Sequence, residues 1–145
     1  MEFDTRVKLA IYHHFAETGR PPRPEEVAER VDSDIENVLE SYPRLRAQRL
    51  LVLEEDGLSI RMASPFSGVP TQHLVEADGI QYFANCAWDS FGIPVVLREN
   101  AEIEASCAHS GEPLRFRVAN GQVEGSEALA HFLVPFQDWY EDLFF

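Results

Sequence analysis

Leu51-Val52-Leu53-Glu54-Glu55-Asp56-Gly57-Leu58-Ser59-Ile60-Arg61-Met62 decides how this chain is read. Two short apolar runs flank the turn sequence Glu55-Asp56-Gly57, the signature of a β-hairpin. Everything before it follows helical spacing instead. From Asp4, expected as an N-cap, Val7, Leu9, Ala10, Ile11, Phe15 and Ala16 recur until Gly19 stops the run. Arg20-Pro21-Pro22-Arg23 is a rigid connector, and Pro24 suits the first turn of a short second helix reaching Val31. Ser33 with Glu36 forms a capping-box pattern ahead of Ile35, Val38, Leu39, Tyr42, Leu45 and Leu50, a third helix that Pro43 should kink or divide. Three helices and a hairpin make a winged-helix-like pattern.

The Pro-, Gly- and Ser-rich stretch from Ala63 to Pro70 then marks a boundary, so two lobes are expected, residues 1–62 and 63–145. In the second lobe His73-Leu74-Val75-Glu76 reads as a strand and Asp78-Gly79 as a turn. Ile80 to Phe83 leads into a helix carrying Cys86 and Asp89, with Pro94 near its end. Glu102 to Cys107 and Leu114 to Val118 alternate with period two, and Asn120-Gly121 is a two-residue hairpin signal before Gln122-Val123-Glu124. A final strand from Leu129 to Val134 is expected before the aromatic tail Trp139 to Phe145. The fold class is α+β: an N-terminal winged-helix-like three-helix lobe, then a small, mainly antiparallel sheet with a packed helix.

At 145 residues the chain can bury a core without staples. With 12 Lys plus Arg against 25 Asp plus Glu, the net charge of -13 repels phosphate backbones. The third helix opens with Asp34, Glu36 and Glu40, where a recognition helix would meet base edges, so nucleic acid is disfavoured as a partner. Two cysteines, Cys86 and Cys107, do not make a secreted disulfide framework, and a reducing cytoplasm is the expected setting. The N-terminus lacks a targeting pattern, and no run approaches the ~18 apolar residues of a membrane span.

Asn85-Cys86-Ala87-Trp88-Asp89 is the constellation with chemistry in it. A thiol and a carboxylate three positions apart leave one helical face, setting a soft nucleophile beside a proton donor. The competing reading is a small buried cysteine whose neighbouring aspartate faces water. Cys107 shares strand parity with Ile103 and Ala105 and is expected to point into the core. Cys107 with His109 is too slight for a zinc site, and the adjacent His13 and His14 diverge by about 100° on their helix. No glycine-rich phosphate cradle or Gly-x-Ser-x-Gly elbow occurs, and no cofactor is called for.

Tyr82-Phe83-Ala84-Asn85-Cys86-Ala87-Trp88-Asp89-Ser90-Phe91-Gly92-Ile93-Pro94, followed by Ala105-Ser106-Cys107-Ala108-His109-Ser110-Gly111-Glu112-Pro113, resembles the organomercurial (alkylmercury) lyases. The shared pattern is Cys-Ala-x-Asp, a proline five residues beyond the aspartate, and a later Cys-Ala-x-x-Gly-x-Pro. The helical front, with Gly19-Arg20-Pro21, is similar in kind. The resemblance implies protonolysis of a carbon–mercury bond. Cys86 would bind the mercury, and Asp89 would relay a proton to the departing carbon. The cysteine matching Cys107 is structural in that family.

Two departures qualify the implication. The family's second mercury-binding cysteine lies after the last strand, whereas nothing beyond Cys107 is cysteine here, and the register puts that position close to or just beyond Phe145. Asn85 replaces an aromatic residue common before the first cysteine. The implied partners are a small organomercurial or a soft metal ion, with an external thiol as a possible second ligand. The alternatives are a non-catalytic protein that binds a soft metal or a thiol-reactive ligand, and a winged-helix regulator.

Overall fold

The computed structural model describes residues 1–141. Three helices lead: α1 (Phe3–Thr18), α2 (Pro24–Val31) and α3 (Ile35–Ala47). Strands β1 (Val52–Leu53), β2 (Ile60–Ala63) and β3 (Phe66–Ser67) form one antiparallel sheet in that order. A second sheet comprises β4 (Leu74–Ala77), β5 (Ile80–Phe83), β6 (Ala101–Ser106), β7 (Pro113–Ala119) and β8 (Gln122–Gly125). Its order is β5-β4-β6-β7-β8, antiparallel throughout. Helix α4 (Ala87–Leu97) connects β5 to β6 and packs against β4 and β6. The α+β class is therefore as expected.

Several local expectations hold for the reasons given. Gly19 ends α1 at φ 72°, its N–H bonded to Phe15 O. Pro24 opens α2. Asp78-Gly79 and Asn120-Gly121 both turn with positive φ at each residue, the conformation that suits two-residue hairpins. Along β6, Ala101 and Ile103 are buried while Glu102 and Glu104 face out, opposite Arg117 and Arg115 across the ladder at 3.3 and 3.6 Å.

Others are corrected. Glu2, not Asp4, is the N-cap of α1; Asp4 instead accepts hydrogen bonds from Ser41 and Arg44 of α3 at 2.7–2.8 Å. The Ser33/Glu36 capping box does not form: α3 begins after Asp34, and the Ser33 hydroxyl accepts from Asn37. The third helix stops at Ala47 and runs undivided through Pro43. The stretch from Ala63 to Pro70 contains β3, because Phe66 has a core to enter. No strand forms at Leu129 to Val134; Leu129 is 96 % exposed, and apolar composition without a neighbouring ladder does not make a strand. A single 3₁₀ turn, Phe136–Asp138, follows. The end of the expected aromatic tail, residues 142–145, lies outside the described residues.

One core runs through helices and sheets, joining Ile11 and Phe15 of α1, Tyr42 of α3, Phe66 of β3, Tyr82 of β5, Ile93 of α4 and Ile103 of β6. Phe66 is its hinge-pin: its ring stacks on Phe15 at 5.3 Å and lies 5.7 Å from Tyr82. Phe66 also bridges to Ala84, linking the first sheet to the segment after β5. Tyr82 Oη donates to Ala16 O at 2.6 Å, tying β5 to α1. Such a buried hydroxyl needs that partner, since an unpaired one costs about 1–3 kcal/mol. The consequence is positional: β5 is clamped against α1, so the chain leaving β5 is delivered beside α1 and β3.

Candidate functional site

The chain leaves β5 at Phe83 and turns into α4 through Ala84, Asn85 and Cys86. Sequence periodicity places Cys86 in the helix; the structure makes it the N-cap. Its backbone is extended (φ -153°, ψ 178°), and its Sγ accepts from the Asp89 N–H at 3.5 Å. Sulfur thus occupies the place where a serine or aspartate oxygen ordinarily satisfies a free helix N–H. Asp89 follows in the first turn, so both side chains sit at one helix end. Both are half-buried, whereas Trp88 between them is 70 % exposed.

Burial sets the chemistry. Desolvation pushes the Asp89 carboxyl above its ordinary value, and the hydrogen bond from Asn85 opposes it. Desolvation likewise raises the Cys86 thiol, as does the charge of Asp89, while the Asp89 and Trp88 backbone N–H groups pull it down. The pair is thereby biased toward its neutral forms, a thiol and a carboxylic acid.

Asn85, read in the sequence only as a departure from the family pattern, and Tyr12, not singled out there, lie around the pair. Asn85 Nδ2 lies 2.9 Å from Asp89 Oδ2, 3.2 Å from Pro65 O and 3.3 Å from Phe66 O. Tyr12 of α1 donates to Ser64 O at 2.9 Å, and after burial itself the charge of Asp89 is the next cause raising its phenol. Tyr140 also acts on Tyr12, and the Arg49 guanidinium lies 4.7 Å over the Tyr140 ring. No periodicity connects residues 12, 85 and 140. Only Asn85, adjacent to the motif, carried a signal: a polar residue where an apolar run enters a helix.

Cys107 is not where strand parity puts it. β6 ends at Ser106, and Cys107 begins a tight turn, half-buried, with its N–H bonded to Glu112 O and its carbonyl to Gly111 N–H, both at 2.8 Å. The Ser110 hydroxyl, then the Ser110 and His109 backbone N–H groups, hold its thiol below the ordinary value. Of the two thiols, Cys107 is thus the easier to ionise. His13 is exposed and His14 buried, 3.9 Å from Glu26. Among the described residues no group of three or more His, Cys, Asp or Glu could hold a metal, and no helix is long and apolar enough to cross a membrane.

The recess between α2 and α3, about 450 Å³, is lined by Glu25, Glu29, Asp32, Asp34 and Glu36 and includes neither Cys86 nor Asp89.

Against known proteins, the alkylmercury lyase family model matches residues 66–143. An alkylmercury lyase of Bacillus cereus and one of Clostridium butyricum are each 29 % identical over 105 residues, covering 70 % of this chain and 44 % of theirs. One of Staphylococcus epidermidis is 28 % identical over 123 residues, 83 % of this chain and 49 % of its own. The chain therefore spans about half the length of these relatives. A solved structure described as the mercury-bound form of MerB2 superposes with a TM-score of 0.66 at 21 % identity, covering 82 % of this chain and 58 % of that one, a likeness of fold.

Proposed function

The chain belongs to the alkylmercury lyase family, and from that premise we propose that Cys86 captures an organomercurial and Asp89 protonates its carbon. The supporting observation is the shared helix end: Cys86 Sγ receives the Asp89 N–H while the Asp89 carboxyl is half-buried and held by Asn85.

Mercury is soft and sulfur is its preferred ligand. In the first step the Cys86 thiol exchanges its proton for the organomercury cation, forming an S–Hg bond and releasing the proton with the departing counter-ligand. The Asp89 and Trp88 backbone N–H groups, which favour negative sulfur, assist this loss of the proton. In the second step Asp89, which burial biases toward its protonated form, transfers its proton to the mercury-bound carbon. The carbon–mercury bond breaks, hydrocarbon leaves, and the new carboxylate faces the positive charge left on mercury. Two external thiols then take mercury away as a dithiolate and return their protons to Cys86 and Asp89. A reducing cytoplasm, rich in small thiols, is the setting that fits this cycle. In this reading the segment 1–62 contributes Tyr12 and the segment 63–145 contributes the reacting pair.

One observation favours a second reading, soft-metal binding without cleavage. None of the residues from Ala108 to Phe145 is a cysteine, and in this reading an external thiol serves as the second ligand. A regulator working through its helical lobe has no comparable support. The deciding experiment uses a Cys107→Ser background, because Cys107 is the more readily ionised thiol. Phenylmercury acetate is added with excess small thiol, and benzene release and bound mercury are both measured. Benzene beyond one equivalent, abolished by Cys86→Ser, is expected. Stoichiometric mercury binding with no benzene would overturn the lyase reading in favour of the binding one.

A further inference from the structure

Among the described residues Asn85 is the one side chain that touches the Asp89 carboxyl by hydrogen bond, and its surroundings fix which way its amide faces. The three oxygens around Nδ2 are a carboxylate and two backbone carbonyls. Pro65 and Phe66 carbonyls can only accept, so the NH₂ end must point to them; a flipped amide would set oxygen against them. The amide is therefore anchored by β3 and the residue before it, independently of Asp89.

We propose that Asn85 is a positioning residue that decides which oxygen of Asp89 carries the transferable proton: its N–H is committed to Oδ2, which leaves Oδ1 as the acidic atom. A protonated carboxyl has one hydroxyl and one carbonyl oxygen, and an oxygen accepting an anchored N–H is held as the carbonyl one. The proton is then fixed on the other oxygen, and the carboxyl cannot rotate without breaking a bond whose donor is tied to Pro65 and Phe66. Preorganised donors of this kind contribute because nothing has to reorient during proton transfer. The inference deepens the lyase reading and rests on Asp89 being the proton donor.

The same N–H also steadies the carboxylate after its proton has gone, and this gives a test separate from catalysis. Among the described residues the titratable groups that feel the Asp89 charge are Cys86 at the start of α4 and Tyr12 from α1, and Tyr140 in turn acts on Tyr12. None of them is altered by changing Asn85. In Asn85→Ala, and in the nearly isosteric Asn85→Leu should the first fail to fold, the titration midpoint of a ¹³C-labelled Asp89 carboxyl is expected to rise by about one pH unit. Benzene release should fall roughly tenfold or more in kcat with KM for phenylmercury changed less than twofold. The basic limb of the pH profile should shift up by the same amount as the carboxyl. A fully folded variant whose Asp89 midpoint stays put or falls would overturn the inference, whatever the activity. A wild-type protein that releases no benzene, yet whose Asp89 midpoint rises on Asn85→Ala, would sink the lyase reading and leave the hydrogen-bond role standing.

Discussion

Gly19 and Gly79 share a backbone conformation but not a neighbourhood, and alanine at each separates two costs. Gly19 sits at φ +72° and Gly79 at φ +75°, so either alanine is forced into the left-handed region, a penalty of about 1–2 kcal/mol. At Gly79 a Cβ meets nothing within 4 Å. At Gly19 it would lie 2.0 Å from Gln81 O, a backbone atom that cannot swing aside. Relieving that contact means parting α1 from β5 by about 1 Å, an overpacking cost of about 1–3 kcal/mol. The Tyr82–Ala16 hydrogen bond at 2.6 Å crosses the same seam and would be lost, for about another 1 kcal/mol. Gly19→Ala should therefore lose about 3–6 kcal/mol and Gly79→Ala only the backbone share. In thermal unfolding followed by circular dichroism, that is roughly 3–6 °C for Gly79→Ala and 10 °C or more for Gly19→Ala. Equal losses would show that α1 and β5 are not pressed together as described.

Asp89→Asn should be more stable than wild type at pH 8 but not at pH 3. The folded carboxyl is raised by burial, so wild-type stability is full below the unfolded carboxylate value and declines as pH climbs through the folded one; asparagine never ionises and escapes that decline. Melting temperatures at both pH values check this, and benzene release should vanish while mercury capture by Cys86 persists. Tyr82→Phe, which deletes only the hydroxyl that meets Ala16 O, should cost about 1 kcal/mol in urea unfolding with an unchanged m-value.

Local signals were legible wherever a residue type has one dominant backbone use. Gly19, Pro24, Asp78-Gly79 and Asn120-Gly121 all act as their chemistry dictates. The alternation of β6 was readable too, because one face is buried and the other is not. What failed depended on partners far along the chain. Asp4 looked like a cap until Arg44 and Ser41 arrived from α3. Phe66 looked like loop because nothing near it in sequence announces Phe15 or Tyr82. Leu129 to Val134 had strand composition but no ladder to join. The three-residue spacing of Cys86 and Asp89 was visible, though not that Cys86 would be the cap of its helix, while Tyr12 came from another helix and was not. Asn85 was visible as a departure and its partners were not, because two of its three acceptors are backbone carbonyls, which no sequence pattern displays.

The capped sulfur at the start of α4 has an outcome for selectivity. Oxidants such as peroxide attack the sulfur anion, so a thiol kept protonated by its surroundings reacts with them slowly. A thiophilic cation displaces the proton itself and is not held back in that way. In the proposed lyase reading, burial at Cys86 would act as a chemical filter, sparing the sulfur from oxidative wear and reserving it for electrophiles that bind sulfur tightly enough to evict hydrogen.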